Sequence, residues 1–187
     1  FLVCRGGIAI VGQHCFVVVT NRNGSVRQMF SYGPQRDDPK RPGHLVETQG
    51  SSLGTASDDR ARWQSGQGRT NLTNRGFQDE SVMRAGRTLD RGLGTPDRPG
   101  PTRYGAVPGG GGVANSDSAA HRLIQMAAPS GFRDNLSVPF FTPGWDAHST
   151  AQVGLAPKPP TSAKISLSEN KGIVGGTYAP RQDDDDE

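Results

Sequence analysis

Cysteine is scarce: Cys4 and Cys15 are the only two in 187 residues, too few for a disulfide framework and without the C-x-x-C spacing of a zinc site. With two cysteines near one end, the redox compartment stays open. No apolar run approaches the roughly 20 residues that cross a bilayer, so no transmembrane segment is expected. Residues 1–12 lack a basic n-region and are too short for a signal peptide, so a soluble chain is expected. The chain starts on Phe1 rather than Met, which fits either processing or a longer polypeptide. The glycine run at positions 109–112 has no Gly-Lys-Ser/Thr after it, so it is not a P-loop, and nucleotide binding is unsupported. No cofactor and no metal site are expected.

Apolar residues make up 32% of the chain and aromatics 6%, while Gly and Pro number 26 and 14, so the core is expected to be small and much of the backbone irregular. The net charge of +3 hides an asymmetry: positions 183–187 hold five of the 18 acids, leaving the remainder at +8. Nearly all the cations are arginine, seventeen against four lysines. That bias suits phosphate or carboxylate recognition and equally follows from a GC-rich genome; no arginine run is interleaved with aromatics.

The stretch from Val113 to Ala128 organises the rest. Ala119, Ala120, Leu123, Ile124, Ala127 and Ala128 recur three and four apart, which predicts an amphipathic helix with Asp117, Arg122 and Gln125 off the apolar stripe. Asn115, Ser116 and Asp117 are all N-cap types, and Pro129 with Gly131 ends the helix. Ser116 therefore sits at the positive end of a helix dipole, behind a glycine-rich run.

Earlier in the chain, positions 13–20 form the strongest strand pattern, and Asn23-Gly24 predicts a two-residue hairpin turn with a return strand over 25–32. That register sets Val18 opposite Met29 and Phe16 opposite Ser31. His14, Phe16 and Val18 then share a face with Met29 and Ser31, and Cys15, Val17 and Val19 share the other with Gln28, Phe30 and Tyr32. Residues 35–112 are polar and read as a long insertion or lid, mostly loop. Within them a short strand is expected at 45–48, a short helix at 57–64 that drops Trp63 into the core, and a second helix at 78–89. Residues 136–145 are expected to dock as an extended segment, 164–167 to form an edge strand, and 181–187 to be a solvated acidic tail. The expected architecture is α+β: one loop-rich domain over 1–180, a small antiparallel sheet with an N-terminal hairpin packed on one main helix.

A strand that opens with a histidine and a helix that opens with a small hydroxyl residue supply the parts of acyl-transfer chemistry, a general base and a nucleophile beside an oxyanion-favouring helix end. His14 on its strand, the hairpin ending Ser31-Tyr32-Gly33-Pro34, and Asn115-Ser116-Asp117-Ser118 at a helix start resemble the circularly permuted papain-like superfamily, which includes lecithin retinol acyltransferase-like proteins and bacterial relatives. The resemblance covers about residues 1–34 and 104–128. It implies that His14 is the base, that Ser116 stands in the nucleophile's place, and that Ser31 is the third, orienting group. Active members carry Cys where this chain has Ser116, and a hydroxyl ionises far less readily than a thiol. Read without the resemblance, His14 serves equally as a core histidine and Ser116 as a helix cap. His44, His121 and His148 read as surface residues. Asn71-Leu72-Thr73 and Asn135-Leu136-Ser137 match the glycosylation sequon, which matters only in a secreted eukaryotic protein.

Three functions follow as expectations. The favoured one is a catalytically degenerate papain-like module, binding other protein chains or acting structurally in a larger bacterial or phage-related assembly. The second is an amide or ester hydrolase or acyltransferase using Ser116 with His14. The third is a nucleic-acid-binding or toxin-like module built on the nine arginines from Arg60 to Arg103.

Overall fold

The computed structural model describes residues 1–6, 13–36, 38, 40–48, 54–105, 112–136, 142, 144–145 and 153. Along the chain come β1 (Leu2–Gly6), β2 (Gln13–Thr20), β3 (Val26–Phe30), β4 (Tyr32–Pro34), β5 (Leu45–Glu47), α1 (Gly54–Ser65), β6 (Arg69–Thr70), α2 (Asp79–Leu93), β7 (Gly94–Thr95), β8 (Arg98–Pro99), β9 (Arg103–Tyr104), β10 (Val113–Ala114) and α3 (Ser116–Ala127). The class is α+β. A four-stranded antiparallel sheet runs β3-β2-β1-β6, and β4-β5, β7-β8 and β9-β10 form two-stranded pairs. The expected edge strand at 164–167, the tail at 181–187, His148 and most of 136–145 lie outside the described residues.

The β2–β3 hairpin keeps the expected register at its base, with Val18 opposite Met29 and Val17 opposite Phe30. Its turn differs. Asn21 N donates to Ser25 O at 2.8 Å and Gly24 N to Asn21 O at 2.9 Å, so three residues, Arg22, Asn23 and Gly24, make the loop, with Gly24 at φ 81°. Three-residue loops with a left-handed third residue are a standard hairpin closure. The offset is undone by a bulge: Thr20 pairs with Val26 but Val19 with Gln28, leaving Arg27 as the extra residue in β3. Two irregularities cancel, which is why the faces come out as alternation predicts.

Those faces are covered unequally. Leu2, Cys4, Cys15, Val17, Val19 and Phe30 pack with α2 and α3 into the main core. On the reverse, Val3, Phe16, Val18 and Met29 form a smaller cluster closed by Phe1 and Trp63. Cys4 and Cys15 are directly opposed in β1 and β2 and form a disulfide beneath the main core, a single cross-strand bridge that their spacing did not announce.

The described residues of 35–112 are not mostly loop. They contain α1 and α2, and α2 buries Val82, Met83, Ala85, Gly86, Leu89 and Leu93. These recur at helical spacing, so a polar segment still presents one apolar stripe. A Cβ at Gly86 would collide with the Phe30 ring, so the missing side chain is what lets α2 approach β3 closely. The sheet therefore packs on two main helices rather than one.

In α3 the cap is Asn115: its side chain accepts from Ser118 N at 3.0 Å, and Ser118 Oγ reaches back towards Asn115 N, a reciprocal capping box. Asp117 was expected off the apolar stripe and is fully buried. The spacing explains it, since Asp117 lies three residues before Ala120 and seven before Ile124, on the same face. His121, expected at the surface, is also buried; it pairs with Asp134 and stacks on Trp145 at 4.6 Å between ring centroids. His44 is half-buried, with Nδ1 3.3 Å from Gln35 Oε1. Among the described residues no helix is long and apolar enough to cross a membrane.

Candidate functional site

β2 alternates, so His14 points to the face opposite Cys15, and its cross-strand partner Arg5 points with it. Ser31 follows Met29 by two residues and joins them. The fourth member is Asp59 of α1, which sits four residues before Trp63, so the turn that seats the indole on Phe1 also lowers a carboxylate onto the sheet. Asp59, Ser31 and His14 are buried, at 0%, 0% and 1% exposure.

The carboxylate of Asp59 is held from both sides. Oδ1 accepts from Arg5 Nε at 2.9 Å, and Oδ2 lies 3.1 Å from His14 Nε2 and accepts the Ser31 hydroxyl. His14 Nε2 is also 3.1 Å from Ser31 Oγ. Thr48 supports Ser31 by donating from Oγ1 to its carbonyl and its hydroxyl oxygen, each at 3.2 Å. Burial alone pushes the Asp59 carboxyl up, but the His14 charge and the hydrogen bonds from His14, Ser31 and Arg5 outweigh it, leaving the group below its ordinary value.

The structure brings His14 and Ser31 together and leaves Ser116 elsewhere. α3 lies over the Cys15 face, where Asp117, next to Ser116, accepts from Cys15 N at 3.0 Å. The apolar stripe of α3 packs on the Cys15 face, whereas the His14 side chain points to the other. Among the described residues His14 is bonded to Ser31 and Asp59 and not to Ser116, which occupies the first helical position behind the Asn115 cap.

His14, Ser31 and Asp59 carry the residue types of a hydrolytic triad without its wiring. In a working triad the carboxylate holds the ring nitrogen remote from the hydroxyl, so that the free nitrogen takes the hydroxyl proton. Here carboxylate and hydroxyl meet the same Nε2, and the Ser31 proton goes to Asp59. What the arrangement does chemically is bind an anion: three donors, guanidinium, imidazole and hydroxyl, converge on one carboxylate. Sequence reasoning missed Arg5 and Asp59. The register could have found Arg5, and the i, i+4 spacing to Trp63 could have found Asp59.

Asp117 is the counterpart on the other face. Its Oδ2 is the one buried side-chain oxygen or nitrogen without a hydrogen-bond partner among the described residues. Burial pushes its carboxyl up to about 8, against the single bond from Cys15 N. Among the described residues no group of three or more His, Cys, Asp or Glu could hold a metal ion.

A cleft of about 380 Å³ opens between β3 and α1, on the face that carries Asp59, and is lined among others by Arg27, Met29, Arg60 and Trp63. Arg69 stacks on the Trp63 ring with its guanidinium carbon 3.7 Å from the ring centre. The fold and the site define a mixed α+β protein with a buried carboxylate-holding cluster under a peripheral helix. Compared with protein-family models, curated proteins and solved structures, the chain has no significant match in any of the three.

Proposed function

We propose that the chain is a binding module without hydrolytic or acyltransferase activity, a degenerate form if it descends from the permuted papain-like proteins that it resembles. The observation that carries this reading is the commitment of His14. Its Nε2 is shared between Asp59 and Ser31 in a site closed to solvent, so it is not available to activate a nucleophile. Ser116, the other hydroxyl that the resemblance singles out, has no hydrogen bond to His14 among the described residues. Among the described residues the β3–α1 cleft is open, and its mixture of aromatic, aliphatic and arginine side chains suits ligand binding. The partner class expected from the sequence, other protein chains, belongs to this reading.

Nucleic-acid binding gains no specific support. Several arginines in the 60–103 stretch are spent within the chain: Arg62 on Cys4 O, Arg69 on Trp63 and Arg75 on Asn135. A fluorophosphonate probe tests the proposal on the parent chain, Ser31→Ala and Ser116→Ala. No serine labelling is expected in any of them; labelling lost specifically in Ser31→Ala or Ser116→Ala would restore an enzyme.

A further inference from the structure

α1 turns much of its described surface to solvent. Of residues 57–65 only Asp59 is buried, and Arg62 and Trp63 are half-buried. Asp59 is the one buried side chain among residues 57–65, beside Arg62, which donates to Cys4 O, and Asp58, which pairs with Arg5; the groups that receive Asp59 belong to the sheet side: Arg5 on β1, His14 on β2 and Ser31 between β3 and β4. Those three residues share a face by strand alternation and register, whatever α1 does. The receptor is thus built into the sheet, while the carboxylate is brought to it by a separate, largely exposed helix.

The cleft lies beside this contact. Met29, on its wall, stands two residues from Ser31 on the same face, and Arg60 directly follows Asp59. Trp63 lines it too, so an entering molecule meets an aromatic and a thioether surface next to guanidinium groups. Arg27 is paired with Glu80 at 2.9 Å, but both are exposed, and such a pair holds its partners weakly.

We propose that Arg5, His14 and Ser31 form a carboxylate-binding site on the sheet, filled in this state by Asp59 of α1, and that a carboxylic acid with an apolar body, entering through the β3–α1 cleft, takes the place of Asp59. The proposal rests on the reading of the chain as a binding module. Exchange replaces one carboxylate by another at the same three donors, so no charge is left unpaired in the buried site, and α1 is released with Asp59 in water. The tethered Asp59 competes at a local concentration in the millimolar range or above, so the parent chain binds weakly and a chain without that carboxylate binds more tightly.

The test uses 3-phenylpropionate, with its neutral amide as control, at constant ionic strength, read from the ring resonances of His14 in isotopically labelled protein. In the parent the acid is expected to shift His14 saturably and the amide not to. In Asp59→Ala the acid binds at least tenfold more tightly, and adding Arg5→Ala removes the effect. Acetate raises the melting temperature of Asp59→Ala above that in equal chloride; if that variant is unfolded in chloride, refolding in acetate is the same readout. Equal shifts from acid and amide in the parent, an unmoved His14, or no gain in affinity in folded Asp59→Ala overturns the proposal. If Asp59→Ala folds in neither salt, the parent titration alone decides. Serine labelling by the fluorophosphonate would end the non-enzymatic reading and leave this titration untouched.

Discussion

Over one face of the four-stranded sheet, α2 and α3 bury Leu89, Leu123 and Ile124 with Cys15, Val17 and Phe30; over the other, α1 contributes one carboxylate and one half-buried indole. The first face is held by apolar area, which is non-directional and accumulates with every side chain added. The second has only the smaller cluster of Val3, Phe16, Val18 and Met29, and beside it a few directional bonds to a charge, which fail together when one member is removed. Each face also carries a buried aspartate, and the two are in opposite states. Asp59 is surrounded by donors and kept ionised, whereas Asp117 has one donor and an unpartnered oxygen and is kept protonated. The lesson is that burial alone does not decide a carboxyl's charge; the charges and donors aimed at it do.

This contrast can be broken most severely from the apolar side. Leu123→Ala, at a fully buried position, is expected to cost about 3 kcal/mol in denaturant unfolding. Asp59→Ala comes next, at about 2–3 kcal/mol, because it strands the Arg5 charge and the His14 ring. Hydrogen exchange should then show the loss concentrated in α1, whereas Leu123→Ala loosens α2 and α3 as well. A uniform rise in exchange in both variants would mean that the faces do not differ as described.

The two aspartates separate in pH. The folded value of Asp59 lies below its ordinary 3.8, so its contribution is complete above that value and is lost as pH falls through the folded value. Asp117 is raised to about 8, so its contribution is complete below about 4 and is lost as pH rises towards 8. Its slope is at most about 1.4 kcal/mol per pH unit. Asp117→Asn should flatten the decline between pH 4 and 8 while leaving the acid limb intact, as followed by melting temperature across pH. An unchanged alkaline limb would show Asp117 to be ionised in the fold. The smallest effect belongs to Arg27→Ala at the bulge, about 0.5 kcal/mol or less by urea unfolding, since Glu80 is exposed.

Much of the sheet was legible. Period-two alternation in residues 13–20 assigned His14 and Cys15 to different faces, and the turn signal at Asn23-Gly24 came close enough to bring His14 and Ser31 together. The Asn115 cap and the end of α3 were readable because capping is local chemistry. The buried cluster was legible only in part: His14 and Ser31 were named, but Asp59 lies 28 residues beyond Ser31 on a weakly amphipathic helix, and nothing local ties it to either. The placing of α3 has the same root. A strand pattern separates two faces, and a helix pattern marks an apolar stripe, yet neither states which stripe lies over which face.

The amino-acid order by itself determined the β2–β3 hairpin, the short strand at 45–47, the capped helix, the opposed directions of His14 and Cys15, and a core confined to a minority of residues. These follow from repeat spacing and from caps and turns that act within a few residues. Only the tertiary structure decided that α3 covers the Cys15 face, that α1 brings Asp59 to Arg5, His14 and Ser31, and that Asp117 is left with one donor. Those outcomes are set by long-range packing and desolvation, whose energies depend on which surfaces meet and not on the order in which the chain presents them.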